Sequence, residues 1–479
     1  MTLLRSSIAW GVAVWLLSAA TSRAADSPLA DAAERRDWKA VRSLIDQRIE
    51  VNASQADGMT ALHWAVLHDD ASIVAQLIEE GAEVNAKNRY SVTPLALACV
   101  NGNGDIVNRL TASGADVHEE LPGGETVLMT AARTGRIGPV NALLTAGVNV
   151  NARERNGQTA LMWAAAEGHL EVADALLKAG AELKTRLPSG FTALFFAVRE
   201  GRTAVALRLI NAGEAVNQIM RPDGKKAAAK LTTPLLLAIE NGHFQLGEAL
   251  LHAGADANAK PAGYSALHAL TWVRKPTRGD GDPPPRGSGN LSSLDIARKL
   301  IEHGANVNAR FESDVSEPGR FSTAGSTPFL LAARASDVPY MRLLLDVGAD
   351  PTLANAVNCT PLLAAAGVGA LENGDEPAGM EVEAVETVRL LLDLGANVNA
   401  VDDTGESAMH GAAYQSWPRV AGLLARRGAD AKVWNRKNQL GWTPLMIAQG
   451  HRPGNFRPAP ETVAAIAAAM SASEGDGNP

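Results

Sequence analysis

One threonine returns at a fixed interval along the first half of this chain. Thr60, Thr93, Thr126, Thr159 and Thr192 open the strings TALHWA, TPLALA, TVLMTA, TALMWA and TALFFA. The series continues, with gaps, at Thr233, Ser265, Thr327, Thr360, Ser407 and Thr443. A length of 479 residues would ordinarily mean about three domains. A fixed short period overrides that expectation, because so small a unit cannot bury both its faces alone and must stack on its neighbours.

Residues 57–88, DGMTALHWAVLHDDASIVAQLIEEGAEVNAKN, show how one unit is built. Asp57-Gly58 is a turn signal. The Thr60 hydroxyl can cap a first helix, on which Leu62, Ala65 and Val66 mark the buried face. Where proline follows, as Pro94, Pro234, Pro328, Pro361 and Pro444, it occupies the first helical turn, where its missing N–H costs little. Ile73, Val74, Leu77 and Ile78 recur at the 3–4 spacing of a second helix, which Gly81 ends in the left-handed conformation. Val84-Asn85-Ala86 leads to the next turn. Hydrophobic residues make up 46% and aromatics only 4%, so the apolar load is the Ala, Leu and Val that short, closely packed helices need.

The motif T-[AP]-L-x-x-A at a period of 33 resembles the ankyrin repeat. The resemblance covers about residues 28–470 and implies an all-α ankyrin-repeat solenoid of about twelve helix–turn–helix units with short turn or hairpin fingers. Residues 25–57 read as a degenerate N-terminal capping repeat, 58–261 as repeats one to six, and 262–440 as repeats seven to ten. Residues 441–470 read as the C-terminal capping repeat and 471–479 as a disordered tail. Insertions fall at 274–290, 311–323 and 371–383, and about eight further residues lie around Met220 to Lys230. The first carries Arg274, Lys275, Arg278 and Arg286; the last carries Glu372, Asp375, Glu376, Glu381 and Glu383. Opposite charge on two inserts from one edge suggests that they attract each other or share a ligand; surface insertions that the fold merely tolerates are the alternative.

Residues 1–24 read as a secretory signal peptide: Arg5 is the positive flank, Ile8 to Ala20 the apolar run, and Ser22-Arg23-Ala24 the cleavage site. An uncleaved anchor is the alternative. Loss of Arg5 and Arg23 takes the formal charge from −8 to −10. An acidic chain without a basic cluster argues against a nucleic-acid partner. No other apolar run spans a bilayer, so no membrane span is expected after cleavage. Cys99 and Cys359 are seven repeats apart, roughly 60–70 Å at the usual helix spacing, which excludes an intrachain disulfide. For an exported, disulfide-free helical array, the resemblance implies a secreted or periplasmic protein of a bacterial envelope.

Chemistry is hard to find. His63, His268 and His410 hold the fourth position of the motif, where the resemblance implies a hydrogen bond to turn backbone. His118-Glu119-Glu120 lacks the second histidine of a zinc-protease helix. No nucleophile elbow, phosphate-binding loop or paired C-x-x-C occurs. No catalytic residue, metal ligand or cofactor is therefore expected.

Proteins resembling this one bind through finger tips and the exposed side of the first helix. Position by position, the tips are Arg89 and Tyr90, Arg155 and Asn156, and Pro188 and Ser189. The exposed positions, seven and eight after the motif threonine, are Leu67 and His68, Val100 and Asn101, Arg133 and Thr134, Ala166 and Glu167, and Arg199 and Glu200. Trp64, Trp163 and Phe196 stand four after it, beside that face or packed between helices. Aromatic and arginine side chains dominate interface hot spots. The expected partner-binding set is Arg89, Tyr90, Arg133, Arg155, Asn156, Trp163, Glu167, Phe191, Arg199 and Glu200. The expected function is a monomeric, non-catalytic scaffold that binds a protein of unknown identity in the cell envelope. Its alternatives are an assembly factor or chaperone for an exported enzyme, and a secreted effector acting on another cell.

Overall fold

The computed structural model describes residues 27–224, 231–275, 285–317, 320–369, 381–451 and 457–475. The fold is an all-α repeat solenoid, and the chain divides into two compact units, Met1–Glu182 and Leu183–Pro479. In the first unit the first helices Pro28–Glu34, Ala61–Leu67, Pro94–Asn101, Val127–Thr134 and Ala160–Glu167 pack each on the next. In the second unit the same holds for Ala193–Arg199, Pro234–Glu240, Ala266–Arg274, Pro328–Arg334, Pro361–Ala365, Ala408–Tyr414 and Pro444–Ala448. Each is followed by a second helix, such as Ala71–Glu79 or Val338–Asp346. The last of these, Pro460–Gly475, runs on into the tail read as disordered, carried by its alanines.

The two helices of a repeat are buried differently, and composition explains why. First helices lie between neighbours on both sides, so all of Ala61 to Val66 and all of Ala193 to Val198 are buried. Second helices bury one stripe only: Ile73, Val74 and Leu77 are inside, each worth about 1.5–3 kcal/mol. Fingers are short. Antiparallel bridges join Glu120 to Thr126, Met220 to Thr232 and Val401 to Ser407. Successive fingers are tied by one backbone bond, for example Arg89 N–H to Asp57 O at 2.8 Å and Ala356 N–H to Ala324 O at 2.8 Å. Gly58 is needed there twice over: its φ is +82°, and a Cβ would lie 2.8 Å from Asn88 Cα.

The recurring threonine caps its helix. Thr93 Oγ1 accepts from Ala96 N at 3.1 Å, and Thr126, Thr159, Thr233, Thr327, Thr360 and Thr443 repeat the bond. Thr192 departs from the pattern, its buried hydroxyl having no partner among the described residues. Where histidine stands three residues on, it closes a capping box. Thr60 N–H donates to His63 Nδ1 at 3.2 Å, so Nδ1 is bare, and Nε2–H donates to Val92 O at 3.1 Å. His268 and His410 do the same toward Ser326 O and Arg436 O.

A second ladder runs through the asparagine of the exit. Asn85 Nδ2 donates to Gly114 O at 2.9 Å while Oδ1 accepts from Asp116 N at 2.8 Å. Asn52 and Asn151 do this in the first unit, and Asn217, Asn258, Asn308 and Asn399 in the second. One side-chain amide thus satisfies a carbonyl and an N–H at the end of the next repeat's second helix.

The insertions lie partly outside the described residues, including Arg278, Glu372, Asp375 and Glu376. What is described follows the turn edge of the second unit. Ser288 N–H donates to His243 Nδ1 at 2.9 Å, and Ser288 Oγ reaches Gly201 O at 3.3 Å. Gly287 lies so close to Gly242 that a Cβ there would overlap the Gly242 carbonyl oxygen. Lys275 Nζ pairs with Glu383 at 3.0 Å, which joins the flanks of the two oppositely charged insertions. Arg274 forms a two-pronged pair with Asp337, at 2.6 and 2.9 Å, and Asp337 is 1% exposed.

Two measurements test this account. Removing one partner of a buried ion pair leaves the other charge uncompensated, so Arg274→Met should destabilise the protein by about 3–5 kcal/mol in urea unfolding. Arg298→Met, whose pair with Asp295 is exposed, is the control. Burial holds His268 and His410 neutral, pushing each from 6.5 down to about 4. Between those values the unfolded chain binds more protons, so stability present above about 6.5 is lost as pH falls toward 4. Glu406, raised by burial to about 7, acts in the opposite sense from 4.5 upward. Unfolding free energies measured from pH 4 to 6.5 should therefore rise less steeply in His268→Gln than in the wild type. Equal slopes would show that the His268 ring titrates normally in the fold.

Candidate protein-binding face

In the unit Met1–Glu182 the finger tips and first-helix ends bring part of the expected set together. Arg133, seven residues after Thr126, lies with its guanidinium 5.5 Å from the ring centre of Trp163 on the next first helix. Its charge is shared with Glu125 at 3.4 Å, and its side chain is 29% exposed. Trp163 is half-buried, and its indole N–H is enclosed without an acceptor among the described residues. Arg89 stacks on Tyr90, 4.8 Å from the ring centre, and donates to the phenol oxygen at 2.6 Å. Tyr90 is 48% exposed, unusual for a large side chain in this fold. Arg155 and Asn156 stand at an exposed tip: Arg155 N–H is fixed to Gly123 O at 3.0 Å, and Asn156 bonds Glu154. Glu167 ends its helix exposed.

In the unit Leu183–Pro479 the remaining three residues meet directly. The Arg199 guanidinium lies 5.2 Å from the Phe191 ring and 5.0 Å from the Phe196 ring, with Glu200 at 2.8 Å from its Nε. A planar cation laid on an aromatic face has its donors aimed outward and its rotamers restricted before any partner arrives.

Some positions read as exposed are occupied by the fold. Asn101 Nδ2 donates to the carbonyls of Val66 at 2.7 Å and Leu67 at 3.2 Å. His68 Nε2 is 2.9 Å from Glu34 O, and its ring stacks on Trp64 at 5.8 Å. These side chains close the orphan carbonyls at the end of the preceding first helix. Trp64 itself is buried, its indole donating to Gln55 Oε1 at 2.7 Å.

The structure also places residues that the sequence reading passed over. Tyr264 packs on Trp272 at 5.0 Å and on Phe311 at 5.4 Å, and its hydroxyl donates to Glu240 at 2.7 Å. Burial, and then the carboxylate of Glu240, push the Tyr264 phenol far up, and burial raises Glu240 in turn. Arg334 lies 4.3 Å from the ring of Phe321. The signal was present: Glu240, Trp272 and Arg334 stand at one register, seven after Thr233, Ser265 and Thr327, and Tyr264 precedes Ser265. Among the described residues, no group of three or more His, Cys, Asp or Glu is arranged to hold a metal ion. No helix there is long and apolar enough to cross a membrane.

Comparison with known proteins agrees with this geometry. A family profile described as "Ankyrin repeats (3 copies)" matches residues 10–88, 29–121, 95–187 and 128–221. One described as "Ankyrin repeat" matches 231–261, 324–356 and 358–403. Together they cover about two-thirds of the chain. The chain is 29% identical to human ankyrin repeat and SOCS box protein 6, over 37% of this chain and 34% of that protein. It is 32% identical to human ankyrin repeat and SOCS box protein 16, over 46% of this chain and 48% of that one. It is 30% identical to neurogenic locus notch homolog protein 1 of Danio rerio, over 32% of this chain and 7% of that one. The chain therefore spans half or less of the length of these relatives. The solved human ASB11 ankyrin repeat domain aligns at a TM-score of 0.42 and 26% identity, over 47% of this chain and 97% of that one.

These relatives correct one expectation. They are human, orangutan, mouse and zebrafish proteins, and they overturn the reading of the chain as a bacterial protein that is secreted or periplasmic. That reading rested on residues 1–24, which lie outside the described residues, and on the lack of a disulfide. Cys99 and Cys359 are free and buried, a state that gives the export reading no support.

Proposed function

Because the chain belongs to the ankyrin-repeat family, whose repeats mediate protein–protein interaction, we propose that it is a non-catalytic scaffold holding a protein partner on its finger tips and first-helix ends. The contacts in the first unit are Arg89, Tyr90, Arg133, Arg155, Asn156, Trp163 and Glu167. Those in the second are Phe191, Arg199 and Glu200. The observation that carries this reading is the pair of half-exposed arginines, Arg133 and Arg199, each laid over an aromatic ring at the same register of its repeat. Such a cation loses little entropy on binding and presents a fork suited to carboxylates of the partner. Glu125 and Glu200 hold the guanidinium groups in place until partner carboxylates replace them.

The test is a comparison of three proteins as bait in cross-linked capture from cell extract, followed by affinity measurement with the captured protein. Arg133→Glu combined with Arg199→Glu should weaken binding by about tenfold or more per site. Lys178→Glu, an exposed change at the end of a second helix, should bind as the wild type does. Equal binding by all three would remove both arginines from the interface.

A further inference from the structure

A small cavity in the unit Leu183–Pro479 is walled by residues of three successive fingers, among them Ser316, Phe321, Val357, Asp402 and Glu406. Its volume is about 20 Å³. That is room for one water-sized group.

Glu406 is the feature that asks for a ligand. It is 2% exposed. Its Oε1 accepts from Tyr414 Oη at 2.9 Å and from Asn438 Nδ2 at 2.6 Å. Its Oε2 is buried and has no hydrogen-bond partner among the described residues. Asp402, also buried, lines the same cavity, and its Oδ1 accepts from the N–H groups of Thr404 and Glu406 and from Thr404 Oγ1. Burial pushes Glu406 up to about 7, with the Asp402 charge adding to it. Asp402 is raised as well, by burial first and then by Asp403. Glu317 and Arg320 line the same cavity, Arg334 is laid on Phe321, and Asp403 is bonded by Asn358. An enclosed carboxylate oxygen without a donor is costly, and the fold has kept it.

We propose that this cavity receives the ammonium group of a lysine side chain from the protein partner, with Glu406 Oε2 and the Asp402 carboxyl as its acceptors. This rests on the scaffold reading above and names the chemistry of one contact. The volume selects the group: an ammonium is a compact point charge with three donors, the size of a water, whereas a planar guanidinium is larger. The finger walls put the cavity on the side where a partner is expected. Glu317, Asp402 and Glu406 line this small space against one arginine, Arg320, and that acidic excess favours a cation over the neutral donor of a serine or an amide.

The test needs no partner. The whole chain is titrated with n-butylammonium, a stand-in for the lysine side chain, and binding is followed by saturation-transfer NMR and by the rise in melting temperature. Millimolar binding is expected for the wild type, with little response to tetramethylammonium, which carries the charge without an N–H. Glu406→Gln keeps the acceptor for Tyr414 and Asn438 and should weaken n-butylammonium by about tenfold or more. Asp402→Asn keeps the Oδ1 acceptor for the finger and should weaken it as well. Equal binding by wild type and Glu406→Gln, or an equal response to tetramethylammonium, would overturn the proposal. Neither result touches the arginine test, so the two readings can fail separately.

Discussion

Every helix ends with backbone groups that its own turns cannot satisfy, and in this protein the next repeat satisfies them. The asparagine of the exit is the clearest case. Its amide spends its donor on the glycine carbonyl that ends the following repeat's second helix and its acceptor on the N–H two residues later. The motif histidines reach the carbonyl of the following finger in the same way. Apolar packing supplies most of the gain, but it is not directional. These bonds fix the rotation and spacing of one repeat on the next, and the candidate binding positions inherit that spacing.

Much of this was legible in the chain, because a strict period states its evidence many times over. The threonine caps, the proline at the first helical turn and the glycine stops could each be read from one repeat and checked on the others. The asparagine ladder was written in the same repeats but has no local meaning. Val84-Asn85-Ala86 shows nothing until Gly114 and Asp116 are brought beside it. The histidines were readable because their first partner is three positions away in sequence.

The candidate face divides along the same line. Arg133 and Arg199 were visible as exposed positions of a register, and the register placed them on aromatic rings. Tyr264, Trp272 and Phe311 lie where insertions break the even period, so their register is harder to read, although Ser265 carries it there. The compartment was not legible at all. It was inferred from the segment 1–24, which precedes the repeats, and from an absent disulfide, neither of which bears on how the repeats stack.

Ser288, near the end of the insertion at 274–290, alters the physics of the stack around it. In a plain repeat array each repeat feels only its two neighbours, so it can fray one repeat at a time. Ser288 belongs to the repeat of Ser265, yet it bonds the Gly201 carbonyl in the repeat of Thr192, two repeats away, as well as His243 between them. That is a next-nearest-neighbour coupling. Three repeats joined in this way are expected to melt as one block rather than singly.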